Sequence, residues 1–142
     1  MSVAFDAKAT SDTLGTGTGI TSFTKLTVGS GANRALVVIL AWDVDPGTVT
    51  VKWDSAGTNQ TVTQISKFAG SAGYVGIYGL VAPTSGAKNL SCTWVNSVTD
   101  AYVSALSFTG ANQTGGTTTF YNAHSQRNTQ RQDNSSSQKF TG

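Results

Sequence analysis

The chain has 142 residues, of which 11% are charged, and a formal net charge of +2. This length fits one domain with a core of its own, and so small a charge gives no reason to expect nucleic acid or acidic lipid as a partner. Glycine, serine and threonine are abundant and glutamate is absent, so strong helix formers are scarce. The composition therefore predicts an all-β fold.

The N-terminal part of the chain predicts one clear strand and one loop. Val3, Phe5 and Ala7 alternate with their neighbours in the manner of a strand with one buried face. Residues 11–19 are rich in glycine and threonine and are predicted to form a flexible loop. No helix follows whose N-terminus would hold an anion, so the glycines do not indicate a phosphate site. Residues 22–28 form the second predicted strand.

The fold is expected to be organised around the segment Leu36–Trp42, seven apolar residues without a break. It is too short for a membrane span, which needs about 20 apolar residues. Its β-branched residues and the turn residues around it predict a strand buried on both faces. Pro46 and Gly47 suit a type II turn, and Asp43 and Asp45 fit that turn better than a Ca²⁺ site, since Ca²⁺ takes about six to eight oxygen ligands.

The next segments also have strand patterns. Val49–Trp53 alternates cleanly between apolar and polar residues, whereas Val62 and Ile65 have opposite parity, which predicts a β-bulge between them. Residues 74–82 are apolar on both parities, as in a central strand.

Two more strands are predicted at residues 89–95 and 100–109, joined through residues 96–99. Strand signals recur about every dozen residues between turn residues, which is typical of a sandwich or jelly roll. We therefore predict a jelly-roll-like antiparallel β-sandwich over residues 1–121.

Cys92 is the only cysteine, and it shares a strand face with Leu90 and Trp94. This position predicts a small buried side chain rather than a reactive thiol. The parities of Trp42 and Trp53 likewise favour the core over exposed platforms on which a sugar would stack.

The residues give little sign of catalysis. His124 is the only histidine, and no G-x-S-x-G motif is present. A carboxylate pair for glycoside hydrolysis would have to come from Asp43, Asp45, Asp54 and Asp100, which all lie at predicted turns or strand ends where aspartate is common. The sequence therefore predicts no enzyme, no metal and no cofactor.

The C-terminal part differs in composition. Residues 115–121 are predicted to form one more strand, and residues 122–142 a polar arm rich in glutamine, asparagine, serine and arginine. Such arms are often disordered; here we expect the arm to become ordered on a neighbouring subunit. The residues expected to serve self-assembly are Phe120, Tyr121, Arg127, Arg131 and Phe140. Phe140 would act as an apolar anchor and the arginines, four residues apart, would pair with carboxylates of the neighbour.

Three blocks, Asn33–Ile39, Gly79–Gly86 and Ala105–Thr114, resemble in that order a family of β-sandwich domains. Its members occur in bacteriophage structural proteins and bacterial surface proteins. The resemblance implies a fold and an extracellular or virion setting, but no catalytic residue. The family continues into further strands after the third block, whereas this chain turns polar. Completion of the sandwich by another subunit is therefore expected.

Together these features predict a non-enzymatic phage virion structural protein, a capsid decoration or other surface protein that self-associates. No signal peptide is visible, so assembly in the cytoplasm of the bacterial host is expected. Its partners would be copies of itself and other virion proteins, with no direct nucleic acid and no membrane. The alternative is a carbohydrate-binding or adhesive module whose partners are surface glycans. Exposed coplanar aromatic residues would favour that alternative.

Overall fold

The computed structural model describes residues 2–10 and 15–120 of the chain. The predicted all-β, antiparallel fold class is confirmed, and the described residues contain no α-helix. The elements are β1 Ala4–Thr10, β2 Gly15–Phe23, β3 Thr27–Val28, β4 Ala35–Trp42, β5 Val49–Trp53, β6 Gln60–Gly70, β7 Gly73–Val81, β8 Gly86–Ala87, β9 Leu90–Thr109 and a 3₁₀ helix Gly116–Phe120.

Strand β4 lies at the centre of the sheet, as predicted. All eight of its residues pair with β7 on one side and with β9 on the other. Leu36, Val38 and Leu40 point inward and are fully buried. Burial on both faces is not found over most of the strand, because the outward side chains of Val37, Ile39 and Ala41 are only half-buried. This strand therefore has one core face and one partly exposed apolar face.

The sheet closes on itself through β9 and β6, the two longest strands. The C-terminal half of β9 pairs with β4, and its N-terminal half pairs with β5. Strand β6 pairs with β5 at its start and with β7 over the rest of its length. The ring β9-β4-β7-β6-β5 is thus a closed five-stranded barrel, with β1 and β2 added along β9. The core fills its interior.

The break predicted at residues 96–99 is wrong, because β9 runs unbroken for 20 residues. Hydrogen bonds from another part of the chain support the backbone there. The N–H groups of Val95 and Asn96 both donate to the carbonyl of Pro46. Val98 also points inward and is buried. A polar stretch remains a strand because its backbone groups find partners.

The predicted loop at residues 11–19 is also corrected, since the chain is a strand from Gly15 onward. Gly19 lies so close to β9 that a Cβ atom there would be 2.9 Å from the carbonyl oxygen of Cys92. Glycine is thus required by close packing against β9, and pairing with β9 overrides the low strand propensity of this segment. The predicted strand at residues 22–28 is reduced to the end of β2 and the two-residue β3.

The bulge predicted between Val62 and Ile65 is confirmed by a register shift between Gln64 and Ser66. Val62 points into the barrel and is buried, whereas the Cδ1 atom of Ile65 lies on the outer surface beside Gly79. The extra residue therefore allows one strand to serve both the core and the outer surface.

The core predictions for the cysteine and the tryptophans are confirmed. Cys92 and Trp53 are fully buried, and Trp42 and Trp94 are nearly so. The rings of Trp42 and Trp94 meet edge to face with centroids 5.8 Å apart. The Nε1 atom of Trp53 donates to the carbonyl of Thr84 at 2.9 Å. The tryptophans thus fill the barrel rather than forming a platform for a ligand.

Candidate functional site

The outer surface of the barrel is polar on one half. There Thr50 is paired in register with Thr93, and Lys52 with Ser91. The Nζ atom of Lys52 also donates to Oγ1 of Thr61 on the next strand at 2.7 Å. Such a surface is typical of an antiparallel sheet that packs one face on the core and shows the other to water.

The outer surface of the other half is apolar, over strands β6, β7, β4 and β9. We call this surface the outer apolar face. Cross-strand register, with β1 added beside β9, arranges its side chains in four rows: Phe68, Val75, Ala41 and Tyr102 in the first, Ser66, Ile77, Ile39, Ser104 and Thr10 in the second, Thr63, Gly79, Val37, Leu106 and Lys8 in the third, and Val81, Ala35, Phe108 and Phe5 in the fourth. Val75 is 39% exposed and Tyr102 is 40% exposed. Since large apolar side chains gain free energy on leaving water, this face indicates a contact surface.

A hollow of about 370 Å³ adjoins the first row. It is lined by Ala41, Trp42, Tyr74 and Val75 and by the turn between β6 and β7, residues 70–73. The turn residues are glycine, serine and alanine, so their small side chains leave the space open. The hollow is therefore a shallow, mainly apolar depression beside the first row of the outer apolar face.

The 3₁₀ helix covers part of the third row, at Gly79. The ring of Phe120 lies over Gly79, with two ring carbons 2.7 Å from the point where a Cβ atom of residue 79 would be. The Cδ1 atom of Ile65 is 2.8 Å from the same point. Phe120 is half-buried in this position. The glycine in the third row thus makes room for an aromatic side chain from the C-terminal part of the chain.

The residues predicted for self-assembly are only partly within the described structure. Phe120 is described, and it packs on the outer apolar face of its own chain. The strand predicted at residues 115–121 is wrong, because residues 116–120 form a 3₁₀ helix; alternation of side chains along a strand does not apply to Phe120. Tyr121, Arg127, Arg131 and Phe140 lie outside the described residues.

The four aspartates considered as a catalytic pair take part in turn and strand contacts. Asp43 accepts hydrogen bonds from the backbone N–H groups of Thr99 and Asp100, both at 3.2 Å. Asp45 accepts one from Lys67 Nζ at 2.8 Å and one from the N–H of Gly47 at 3.0 Å. These two hydrogen bonds hold the pKa of Asp45 below its ordinary value. Gly47 has a φ of +71°, as the predicted type II turn requires.

Asp54 serves the turn that follows β5. Its carboxylate accepts hydrogen bonds from the N–H and the hydroxyl of Thr58, and Lys88 lies 3.6 Å away. The backbone hydrogen bond from Thr58 and these other contacts lower the pKa of Asp54. Within residues 2–10 and 15–120, no three histidine, cysteine, aspartate or glutamate side chains gather into a potential metal site. The carboxylates of Asp43, Asp45 and Asp54 thus have identifiable structural roles.

Comparison with known proteins gives no match among family models, curated proteins or solved structures. In the part of the chain that the structure describes, no helix is long and apolar enough to cross a membrane.

The three blocks that carry the resemblance meet at one end of the barrel. The guanidinium of Arg34 donates to the carbonyls of Pro83 and Gly31, both at 2.9 Å. The amide of Gln113 donates to the carbonyls of Arg34 and Ala111, both at 3.0 Å. The hydrogen bonds of Arg34 and Gln113 therefore hold the three blocks together, which gives these two side chains a structural role.

Proposed function

We propose that this chain is a non-enzymatic structural protein that assembles with copies of itself. The observation that carries the proposal is the contrast between the two outer surfaces of one barrel: threonine, serine and lysine on one half, and the outer apolar face on the other. Exposure to solvent is enough to explain the polar side chains of the first surface. The second favours a protein partner, since its exposed valine and tyrosine would be removed from water by contact.

We further propose a bacteriophage virion as the setting, with a capsid decoration or another surface protein as the role. This part of the proposal rests on the resemblance of the three sequence blocks. Their positions at one end of the barrel support a shared framework and not a shared ligand site. Copies of the chain and other virion proteins are the proposed partners.

A carbohydrate-binding role is the weaker proposal. Phe68 and Tyr102 share the first row, but Val75 and Ala41 lie between them and supply no hydrogen-bonding side chain. A sugar needs polar partners for its hydroxyls as well as an aromatic surface. Binding of Tyr102→Ala and unchanged protein to an array of bacterial surface glycans would separate the two roles, and Tyr102-dependent binding would favour the carbohydrate module.

The self-assembly proposal is tested by molecular mass in solution. Light scattering across a hundredfold range of protein concentration is expected to give a mass above that of the monomer for the full chain. A chain that ends at residue 121 is expected to remain folded by circular dichroism and to be monomeric where the full chain is assembled. A full chain that is monomeric at every concentration would contradict the proposal. A truncated chain that assembles equally well would place the interface within residues 1–121, which keep the strands and the 3₁₀ helix.

A further inference from the structure

A groove lies beyond the fourth row of the outer apolar face, at the end of the barrel where the chain leaves β9. Its volume is about 470 Å³, within the range of roughly 300–1,000 Å³ that ligand pockets occupy. It is lined by Val3, Asn33 and residues 110–114. Most of these described residues have amide or hydroxyl side chains, and none of them is charged. The groove thus combines apolar surface with side chains that form hydrogen bonds.

The walls of the groove are held in place by hydrogen bonds between two loops. The N–H of Ala111 donates to the carbonyl of Asn33 at 2.9 Å. The Nε2 atom of Gln113 donates to the carbonyls of Arg34 and Ala111, both at 3.0 Å. A site whose walls are already fixed loses little conformational entropy when a ligand binds.

These hydrogen bonds leave two neighbouring side-chain groups open to a ligand. The Oδ1 atom of Asn112 accepts a hydrogen bond from the N–H of Thr114 at 2.9 Å, and its Nδ2 group has no acceptor in the described part of the chain. The Oε1 atom of Gln113 has no donor among the described residues. A hydroxyl group both donates and accepts, so a ligand with adjacent hydroxyls fits this pair.

An apolar surface adjoins these polar groups. Val3 is 59% exposed, and Phe5, two residues later, is 57% exposed. The ring of Phe5 is held edge to face against Phe108, with centroids 6.2 Å apart. Because alternate residues of an extended backbone are about 6.8 Å apart, a ligand ring that rests on Val3 lies beside Phe5. Contact with such a ring would remove both side chains from water.

We propose that this groove binds a neutral saccharide. A sugar ring has C–H groups on its faces and hydroxyl groups around its edge, so it needs apolar surface together with donors and acceptors. The first row of the outer apolar face offers only the apolar surface, whereas the groove offers both. An ionised ligand is disfavoured, because no charged side chain among the described residues lines the groove to offset the loss of its hydration. The proposal adds a ligand to the proposed structural role and does not depend on self-assembly.

The test is saturation-transfer NMR of sugars mixed with the full chain. The neutral sugars are glucose, galactose, N-acetylglucosamine, maltose and lactose, and the charged ones are glucuronate and galacturonate. At least one neutral sugar is expected to bind with a dissociation constant of about 0.1–10 mM, as a small ligand in an open groove does. The charged sugars are expected to bind more weakly than that neutral sugar.

Two variants locate the binding. Asn112→Asp removes the Nδ2 donor, keeps the oxygen that accepts from Thr114, and is expected to weaken binding about three- to tenfold through the lost hydrogen bond. Asn59→Asp is the matched control, since it makes the same change at an exposed asparagine outside the groove, and it is expected to leave binding unchanged. Phe5→Ala is expected to weaken binding by a similar factor through the lost apolar contact. Circular dichroism checks that all three variants fold.

A second arm distinguishes a free sugar from a glycan, since both present the same ring. Purified bacterial polysaccharides that contain the bound sugar are compared with that sugar alone, and tighter binding of a polysaccharide would identify a surface glycan as the ligand. Three results would overturn the proposal. They are no binding of any neutral sugar well above the expected dissociation constant, tighter binding of a charged sugar, and binding that Asn112→Asp and Phe5→Ala leave unchanged.

Discussion

The contact between Phe120 and Gly79 allows us to predict how substitutions at these two positions change the free energy of unfolding. Full burial of a phenylalanine contributes about 1.5–3 kcal/mol, so the half-buried Phe120 is expected to contribute about 1 kcal/mol. Gly79→Ala would place a methyl group 2.7 Å from two ring carbons, which is too close for the ring to remain. We therefore expect this substitution to cost about 1–2 kcal/mol in the unchanged chain, through loss of the ring contact and crowding against Ile65.

The decisive comparison is made in the Phe120→Ala background. There the ring is already gone, so Gly79→Ala is expected to cost less, by a coupling of about 0.5–1 kcal/mol. Urea unfolding followed by tryptophan fluorescence measures all four proteins, at a concentration where sedimentation shows monomers only. The buried tryptophans report on the barrel itself. An equal cost of Gly79→Ala in both backgrounds would refute the contact between the Phe120 ring and the outer apolar face.

Three further predictions concern the barrel. Burial raises the pKa of the Cys92 thiol to about 12, so a maleimide should label it at pH 7 only after unfolding, and rapid labelling of the native protein would contradict its burial. Cys92→Ser should lower the free energy of unfolding, measured with urea, by about 1–3 kcal/mol. The carboxylate of Asp6 accepts hydrogen bonds from Ser107 at 2.7 Å and Gly29 at 2.8 Å, which lower its pKa from 3.8. The stability that the ionised Asp6 contributes should be complete above about pH 4 and lost as the pH falls through the lowered pKa. Asp6→Ala should remove this part of the pH dependence of the free energy of unfolding, measured with urea at acid pH. An unchanged pH dependence would show that these hydrogen bonds add no stability. Val38→Asp should give no soluble folded protein in an expression and solubility assay, since Val38 is fully buried in the central strand, and a soluble folded variant would disprove its central position.

The sequence predicts correctly those strands in which apolar residues alternate with polar ones or in which β-branched residues form a run. Val49–Trp53 alternates, the central strand is β-branched, and the mismatch of Val62 and Ile65 revealed a bulge before its partner strand was known. Strand β2 could not be found in this way, because its glycine-rich sequence becomes a strand only through pairing with β9. The unbroken course of β9 likewise depends on the carbonyl of Pro46, about 50 residues earlier in the chain.

The outer apolar face had a signal in the sequence, but its meaning depends on the fold. Residues 36–42 and 74–82 are apolar on both parities, and this pattern predicted that their strands are central and buried. The structure shows that their second parity points outward and is only partly covered among the described residues. The closeness of Val75 and Tyr102 follows from the strand order β7-β4-β9, which the order of the segments along the chain does not indicate. The outer apolar face is therefore formed by side chains from neighbouring strands and not by a motif in the sequence.

The central claim, that the chain assembles with copies of itself, is tested most directly by sedimentation velocity of the full chain across a hundredfold range of protein concentration. The account predicts a species heavier than the monomer whose share grows with concentration. Val75→Lys, at an exposed position of the outer apolar face, is predicted to weaken this assembly, whereas Thr93→Lys, at an exposed strand position on the polar half, is predicted to leave it unchanged. A full chain that sediments as a monomer at every concentration would contradict the account.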